Sequence, residues 1–249
     1  MQRYWRNAQD VFYVGNKFQK FLASPNPCYI ICEEKNLAVS YTNRYICNVK
    51  FKPRSETTRQ FIIETTADIF NTKGYAGTSM SDIAEATHLT KGSIYGNFEN
   101  KEAVALAVFD YNLAFVNKRL KDKIEAAGTS KEKLMAYVTA YSSPANSIIF
   151  QTGGCPLLNT GIEADDTHDP LRKKVASALL QWKKNIMQII EQGITAKEFK
   201  PDLDIDREAL SMIALIQGGV FLAKTFHSEN ALDIVMQTLK YMIEGLTLK

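Results

Sequence analysis

Lys91, Ser93, Tyr95 and Asn97 lie within seven residues and carry donors or neutral polar groups, with no carboxylate among them. That chemistry suits a polyanion. A lysine or tyrosine can meet phosphate oxygens, and an asparagine can pair bidentately with an adenine edge. Thr78, Ser79 and Thr90 place hydroxyls ahead of this stretch, and Lys101 follows it. Thr78, Ser79, Tyr95 and Lys101 are assigned to phosphates, and Lys91, Ser93 and Asn97 to base edges, with Thr90 beside them. The plainer alternative for Thr78 and Tyr95 is that they pack or cap.

The elements that must position these side chains are two short helices and a turn over residues 78–101. Ser79 and Asp82 form a Ser-x-x-Asp capping box, and Ile83 and Ala84 give the first helix an inner face. Thr87-His88-Leu89 is the turn. Thr90 caps the second helix, whose Ile94 and Phe98 lie four apart and face inward. This is a helix-turn-helix, which lays its second helix in the major groove of DNA. Upstream, a helix over 55–73 turns Ile62, Ile69 and Phe70 inward and ends at Gly74 in the left-handed cap position. Downstream, Asn100 caps a helix over 101–126 with two opposed apolar faces. Val104, Val108, Tyr111 and Phe115 form one, and Leu106, Phe109, Leu113, Val116 and Leu120 the other. Such a helix must be sandwiched between neighbours.

Further helices are expected over 130–142, stopped by Pro144, and over 170–194, capped by Asp169. Between them lies a break at Gly153-Gly154-Cys155-Pro156, with Pro156 opening a short helix. Two closing helices, 205–226 and 230–247, follow. No strand pattern and no internal repeat is visible, so the expected fold is all-α.

Composition sets outer limits. The 249 residues are 45% hydrophobic and 23% charged, with a net charge of +3. That is ordinary for a globular protein and too small a charge to announce nucleic-acid binding, so a local patch must supply it. The apolar run from Ala209 to Ala223 is broken by Ser211 and Gln217-Gly218-Gly219 and is too short for a membrane span. No secretory signal is visible, and four cysteines suit a reducing cytoplasm. The three histidines, His88, His168 and His227, lack neighbours that would make a triad, a metal cluster or a phosphate loop. No catalytic residue, metal or cofactor is assigned. Residues 1–50 differ from the rest: basic, with scattered aromatics and Cys28, Cys32 and Cys47. Three readings compete: a translated upstream leader with the true start near Val49, a basic arm or cap, or a metal site on the three cysteines.

Residues 54–101 resemble the tetracycline-repressor (TetR) family of bacterial transcription regulators. The resemblance is carried by Ile69-Phe70-x-x-x-Gly74-Tyr75, Thr78-Ser79, Asp82-Ile83-Ala84, Thr90-Lys91-Gly92-Ser93-Ile94-Tyr95, Phe98 and Lys101-Glu102. Two positions depart from the family pattern. Its usual turn glycine falls on His88, for which a positive φ is expected. Its second aromatic falls on Gly96, which removes a DNA-facing side chain. The resemblance implies a helix-turn-helix domain over 51–101 and an effector-binding and dimerisation domain over 102–249. It also implies a small effector among the C-terminal helices, for which Phe109, Leu113, Tyr137, Tyr141, Phe150, Leu158, Trp182 and Met187 are candidate lining residues. Aromatics and methionine at helical spacing are more often plain core, which is the alternative for each of them. Cys155, beside a helix start that can lower a thiol pKa, would be a redox sensor or an inert small hydrophobe. One reading head covers half a site. A two-fold dimer through helices 205–226 and 230–247 is therefore expected on a near-palindromic operator, with heads roughly 34–36 Å apart. The expected function is a ligand-responsive repressor without a membrane partner. Its rivals are an effector-less dimeric DNA-binding protein and a module that kept the fold but lost DNA affinity.

Overall fold

Helix α1 (Arg54–Lys73) stops at Gly74, whose φ of +73° only glycine adopts freely. Beyond it come α2 (Met80–Thr87), α3 (Lys91–Tyr95) and α4 (Lys101–Glu125). These boundaries follow local chemistry. The Ser79 hydroxyl accepts from Asp82 N, and Asp82 reaches back to Ser79 N at 2.8 Å, completing the capping box. Thr90 accepts from Ser93 N and Asn100 from Ala103 N. His88 terminates α2 with φ +54°, the left-handed value its place in the turn requires. Ile62, Ile63, Phe70, Ile83, Ile94, Phe98, Val104 and Val108 close together into one core, which fixes α3 against α1 and α4.

This computed structural model describes residues 11–14, 17–20, 30–32, 37–39, 54–142 and 153–248, and the chain divides into two units, 1–51 and 52–249. The second unit is all-α. After α4 come α5 (Ser130–Tyr141), α6 (Pro156–Ala164), α7 (Asp169–Thr195), α8 (Ile205–Phe226) and α9 (Glu229–Leu246). Their inward faces meet in a second core that includes Leu134, Tyr137, Tyr141, Trp182, Ile186, Ile190, Met212, Ile216, Leu239 and Ile243. As its two faces require, α4 belongs to both cores, with Val104 and Val108 in the first and Phe109, Val116 and Leu120 in the second. Tyr111 and Phe115 depart from that pattern and stay partly exposed, outside both cores.

The cap of α7 is His168, not Asp169. Its Nδ1 accepts from Leu171 N at 3.3 Å, while Asp169 opens the helix and pairs instead with Arg172 and Lys173. The chain end is tied back to the α7–α8 turn: Lys200 N donates to Leu246 O at 3.0 Å, and Leu248 N to Glu198 O at 3.1 Å.

In the first unit, β1 (Val11–Val14) pairs antiparallel with β2 (Lys17–Lys20), and β3 (Ile30–Cys32) with β4 (Leu37–Val39). The expectation of no strand pattern missed these four. Runs of three or four residues are too short to show a period, although Val11-Phe12-Tyr13-Val14 has the β-branched and aromatic content that strands favour. Pro144, Val49, Cys28 and Cys47 lie outside the described residues, as do the three readings offered for residues 1–50 taken as a whole.

Candidate functional site

The outer face of α3 and its flanks is a shallow ridge. Ile94 and Phe98 anchor it by complete burial, which leaves Lys91, Gly92, Tyr95 and Gly96 turned outward. Tyr95 is 51% exposed. Ser93 and Asn97 are half-buried on the flank. Ser79 and Thr90 are exposed, but each hydroxyl is engaged at its own helix start. Lys73 adds a cation, held at 2.8 Å from Asp82. That lysine, together with the hydroxyl and N–H of Ser79, holds the Asp82 carboxyl well below the usual carboxylate range, so the cap carries its charge at any ordinary pH.

Three sequence assignments change. Thr78 is fully buried, and its hydroxyl donates to Gly74 O at 2.7 Å, so it locks the α1–α2 turn and cannot offer that group to phosphate. Lys101 is half-buried; its ammonium donates to Tyr75 O at 2.9 Å and lies 4.1 Å above the Tyr75 ring. Part of its binding capacity is therefore spent inside the protein. Asn97 donates through Nδ2 to Ser93 O at 2.8 Å, so a bidentate grip on adenine would first have to break that bond. The sequence analysis missed Arg59 altogether. Its guanidinium stacks 3.9 Å over the Phe98 ring and donates to Asn97 O at 3.0 Å, clamping the end of α3 to α1. With donor and acceptor 38 positions apart, no local spacing could have pointed to it.

In the C-terminal helices an open cleft of about 870 Å³ lies between α4 and α7, with α5 beneath. Phe109, Leu113, Leu120 and Ile124 make its α4 wall, and Tyr137 and Trp182 its floor. Along the α7 wall, Gln181, Asn185, Gln188 and Gln192 recur at one helical face. Two polar links cross between the walls. Lys174 pairs with Asp110 at 2.6 Å, and Trp182 Nε1 donates to Asn117 Oδ1 at 2.8 Å.

Of the candidate lining residues, Phe109, Leu113, Tyr137 and Trp182 come together here. Tyr141 and Cys155 do not; both are fully buried in the bundle core, and Met187 packs against that core. Leu158 faces a separate groove between α1, α6 and α8. Phe150 lies outside the described residues. Burial raises the Cys155 thiol above its usual value, overcoming the N–H groups of Leu157 and Leu158 that pull the other way. The helix start does not win, and burial gives Cys155 the setting of a small core hydrophobe.

A donor-rich helix displayed by a three-helix head, joined through one long helix to a cleft-bearing bundle, defines a helix-turn-helix regulator. Residues 62–108 match the family model described as bacterial regulatory proteins, tetR family. Residues 130–239 match the tetracyclin repressor-like C-terminal domain. Among solved structures, a TetR-family transcriptional regulator from Cytophaga hutchinsonii is 54% identical with a TM-score of 0.76, the match covering 80% of this chain and 98% of that one. A TetR regulator from Chloroflexus aurantiacus is 36% identical with a TM-score of 0.72, covering 78% and 97%. The HTH-type transcriptional repressor DhaR of Mycobacterium sp. is 27% identical over 189 residues, 76% of this chain and 91% of its own length. The chain belongs to the TetR family and is a DNA-binding transcriptional regulator. Regulators of this family bind operator DNA and dimerise.

Proposed function

We propose that the protein is a cytoplasmic repressor whose dimer holds a near-palindromic operator and releases it when a small effector enters the α4–α7 cleft. Residues 51–101 form the reading head and residues 102–249 the effector and dimerisation domain. Lys91, Tyr95 and the Ser93 flank meet DNA. The observation that carries the effector part of this reading is the cleft itself. Its volume suits a small organic molecule, and its apolar wall faces a row of amides that can orient a polar edge.

The dimer forms through the outer faces of α8 and α9. Leu210 and Phe221 on α8, and Ile234 and Tyr241 on α9, are each about half exposed or more in the protomer. Such an apolar surface favours burial against a second copy. The paired glycines of α8 divide the work. Gly219 faces α9 within the protomer, where a Cβ would crowd Leu232 and Val235, whereas Gly218 meets nothing and lies on the outer side.

An effector that changes operator affinity by 5–150-fold needs only about 1–3 kcal/mol of coupling. The test begins with a duplex selected from a random pool, followed by a screen of metabolites for its release. A compound that releases the duplex from the wild type, but not from a cleft-filling Leu113→Trp variant, supports the reading. Release unaltered by the added ring would place the effector elsewhere.

A further inference from the structure

The helix-turn-helix begins at the α1–α2 turn, and α6 grips that turn from the C-terminal side. Glu163, on α6, lays its carboxylate across two consecutive backbone amides. Oε2 accepts from Tyr75 N at 2.8 Å and Oε1 from Ala76 N at 2.8 Å. Hydrogen bonds to an ionised acceptor are stronger than neutral ones, and two from one rigid group also fix direction. The approach is close: a Cβ on Gly74 would fall 2.3 Å from Glu163 Oε2. Neighbouring contacts reinforce the grip. The Tyr75 ring meets the His168 ring edge-on with centroids 4.3 Å apart, and His168 is the cap of α7. Asn159, also on α6, donates to Asn71 O near the end of α1 at 3.0 Å.

The reading head therefore hangs from both walls of the cleft. It is continuous with α4, whose first residue, Lys101, bonds the Tyr75 carbonyl. It is also pinned to α6, which packs along α7, the opposite wall. A shift of one wall against the other must either break the Glu163 bonds or turn the head.

We propose that Glu163 is a positioning residue that couples the C-terminal bundle to DNA: it makes the α1–α2 turn follow α6 and α7, so the orientation of α3 depends on the state of the cleft. The proposal rests on the effector reading above and supplies its mechanical route. Because coupling between two binding sites is reciprocal, a duplex that biases the head must also bias the cleft and the α6 contact that joins them. The route can thus be tested without the effector.

The probe is the duplex that the full-length wild type selects from a random pool. The readout is hydrogen exchange at the Tyr75 and Ala76 amides and across residues 156–166, with and without duplex. In the wild type, duplex changes these rates by about fivefold or more, the lower end of ordinary coupling. Glu163→Gln keeps one acceptor and presents an NH2 group to the second amide. It should still bind the duplex, yet relay less than about half of that change. If Glu163→Gln relays the full wild-type response, or if the wild type shows no response in α6, the proposal is wrong while DNA binding stands. If the wild type selects no duplex, the regulator reading falls and the proposal falls with it. Should Glu163→Gln fail to fold by circular dichroism, the wild type alone decides. Tyr75 and Ala76 amides that exchange as fast as an unprotected loop overturn the proposal, and slow amides that respond to duplex uphold it.

Discussion

Thr78, Lys101 and Asn97 show how a residue type can be right for DNA while its atoms are committed elsewhere. Each has a donor that DNA could use, and each spends it on a backbone carbonyl of the head. Their contribution is to hold the ridge rigid, so less ordering remains to be done when the groove is entered. Lys91 differs. It is the first residue of α3, exposed, and its side chain makes no hydrogen bond or ion pair with another described residue. Lys91→Ala should therefore cost about 1–3 kcal/mol and relax preference at one operator position. Affinities for a set of singly substituted duplexes check this. A uniform loss across the set, with a shallower salt dependence, would reassign Lys91 to phosphate.

At the scale of elements, capping and packing make separate predictions. Asp82 joins the start of α2 to Lys73 at the end of α1. Its folded pKa lies below its unfolded one, so its stabilisation is complete above the unfolded value and is lost as pH falls toward the folded one. The wild type should begin to lose stability as pH falls below about 5 and keep losing it into strong acid, and Asp82→Asn should flatten that part of the profile. Melting temperature against pH for the two proteins decides it, and parallel curves would contradict the role. In α7, a Cβ at Gly193 would stand 2.2 Å from the Phe199 ring, which is itself fully buried. Alanine gains about 1 kcal/mol of helix propensity, but overpacking costs about 1–3 kcal/mol and the ring has nowhere to move. Gly193→Ala should lower the melting temperature; an unchanged or raised value would show that the ring relaxes.

These elements also mark how far the sequence could be read. The caps at Ser79, Thr90 and Asn100 were legible because each depends on residues within four positions, and the left-handed His88 because it stands where the resembling family has its turn glycine. The grip of Glu163 on Tyr75 and the clamp of Arg59 on Asn97 were not, since 88 and 38 residues separate their partners. The cleft was half legible. Phe109, Leu113, Tyr137 and Trp182 point into it, whereas Tyr141, chemically as suitable, turns into the core on the same helix as Tyr137.

At the scale of the whole molecule, the proposed dimer sets the apolar outer faces of α8 and α9 between protomers, so that two reading heads face one side of a duplex. Phe221→Glu places a charge on that surface without touching either core. It should shift sedimentation at micromolar concentration toward monomer and leave helix content unchanged. An intact dimer would move the interface elsewhere. DNA reading by this head requires the ridge from Lys91 to Asn97 to enter a groove. Its most direct test is titration of the selected duplex with the purified wild type and a Lys91→Ala, Tyr95→Ala double variant over a range of salt. Wild-type binding should be tight and weaken steeply as salt rises, and the double variant should lose affinity. Equal affinity in both proteins, or a wild type that ignores the duplex in dilute buffer, would contradict DNA reading by this ridge.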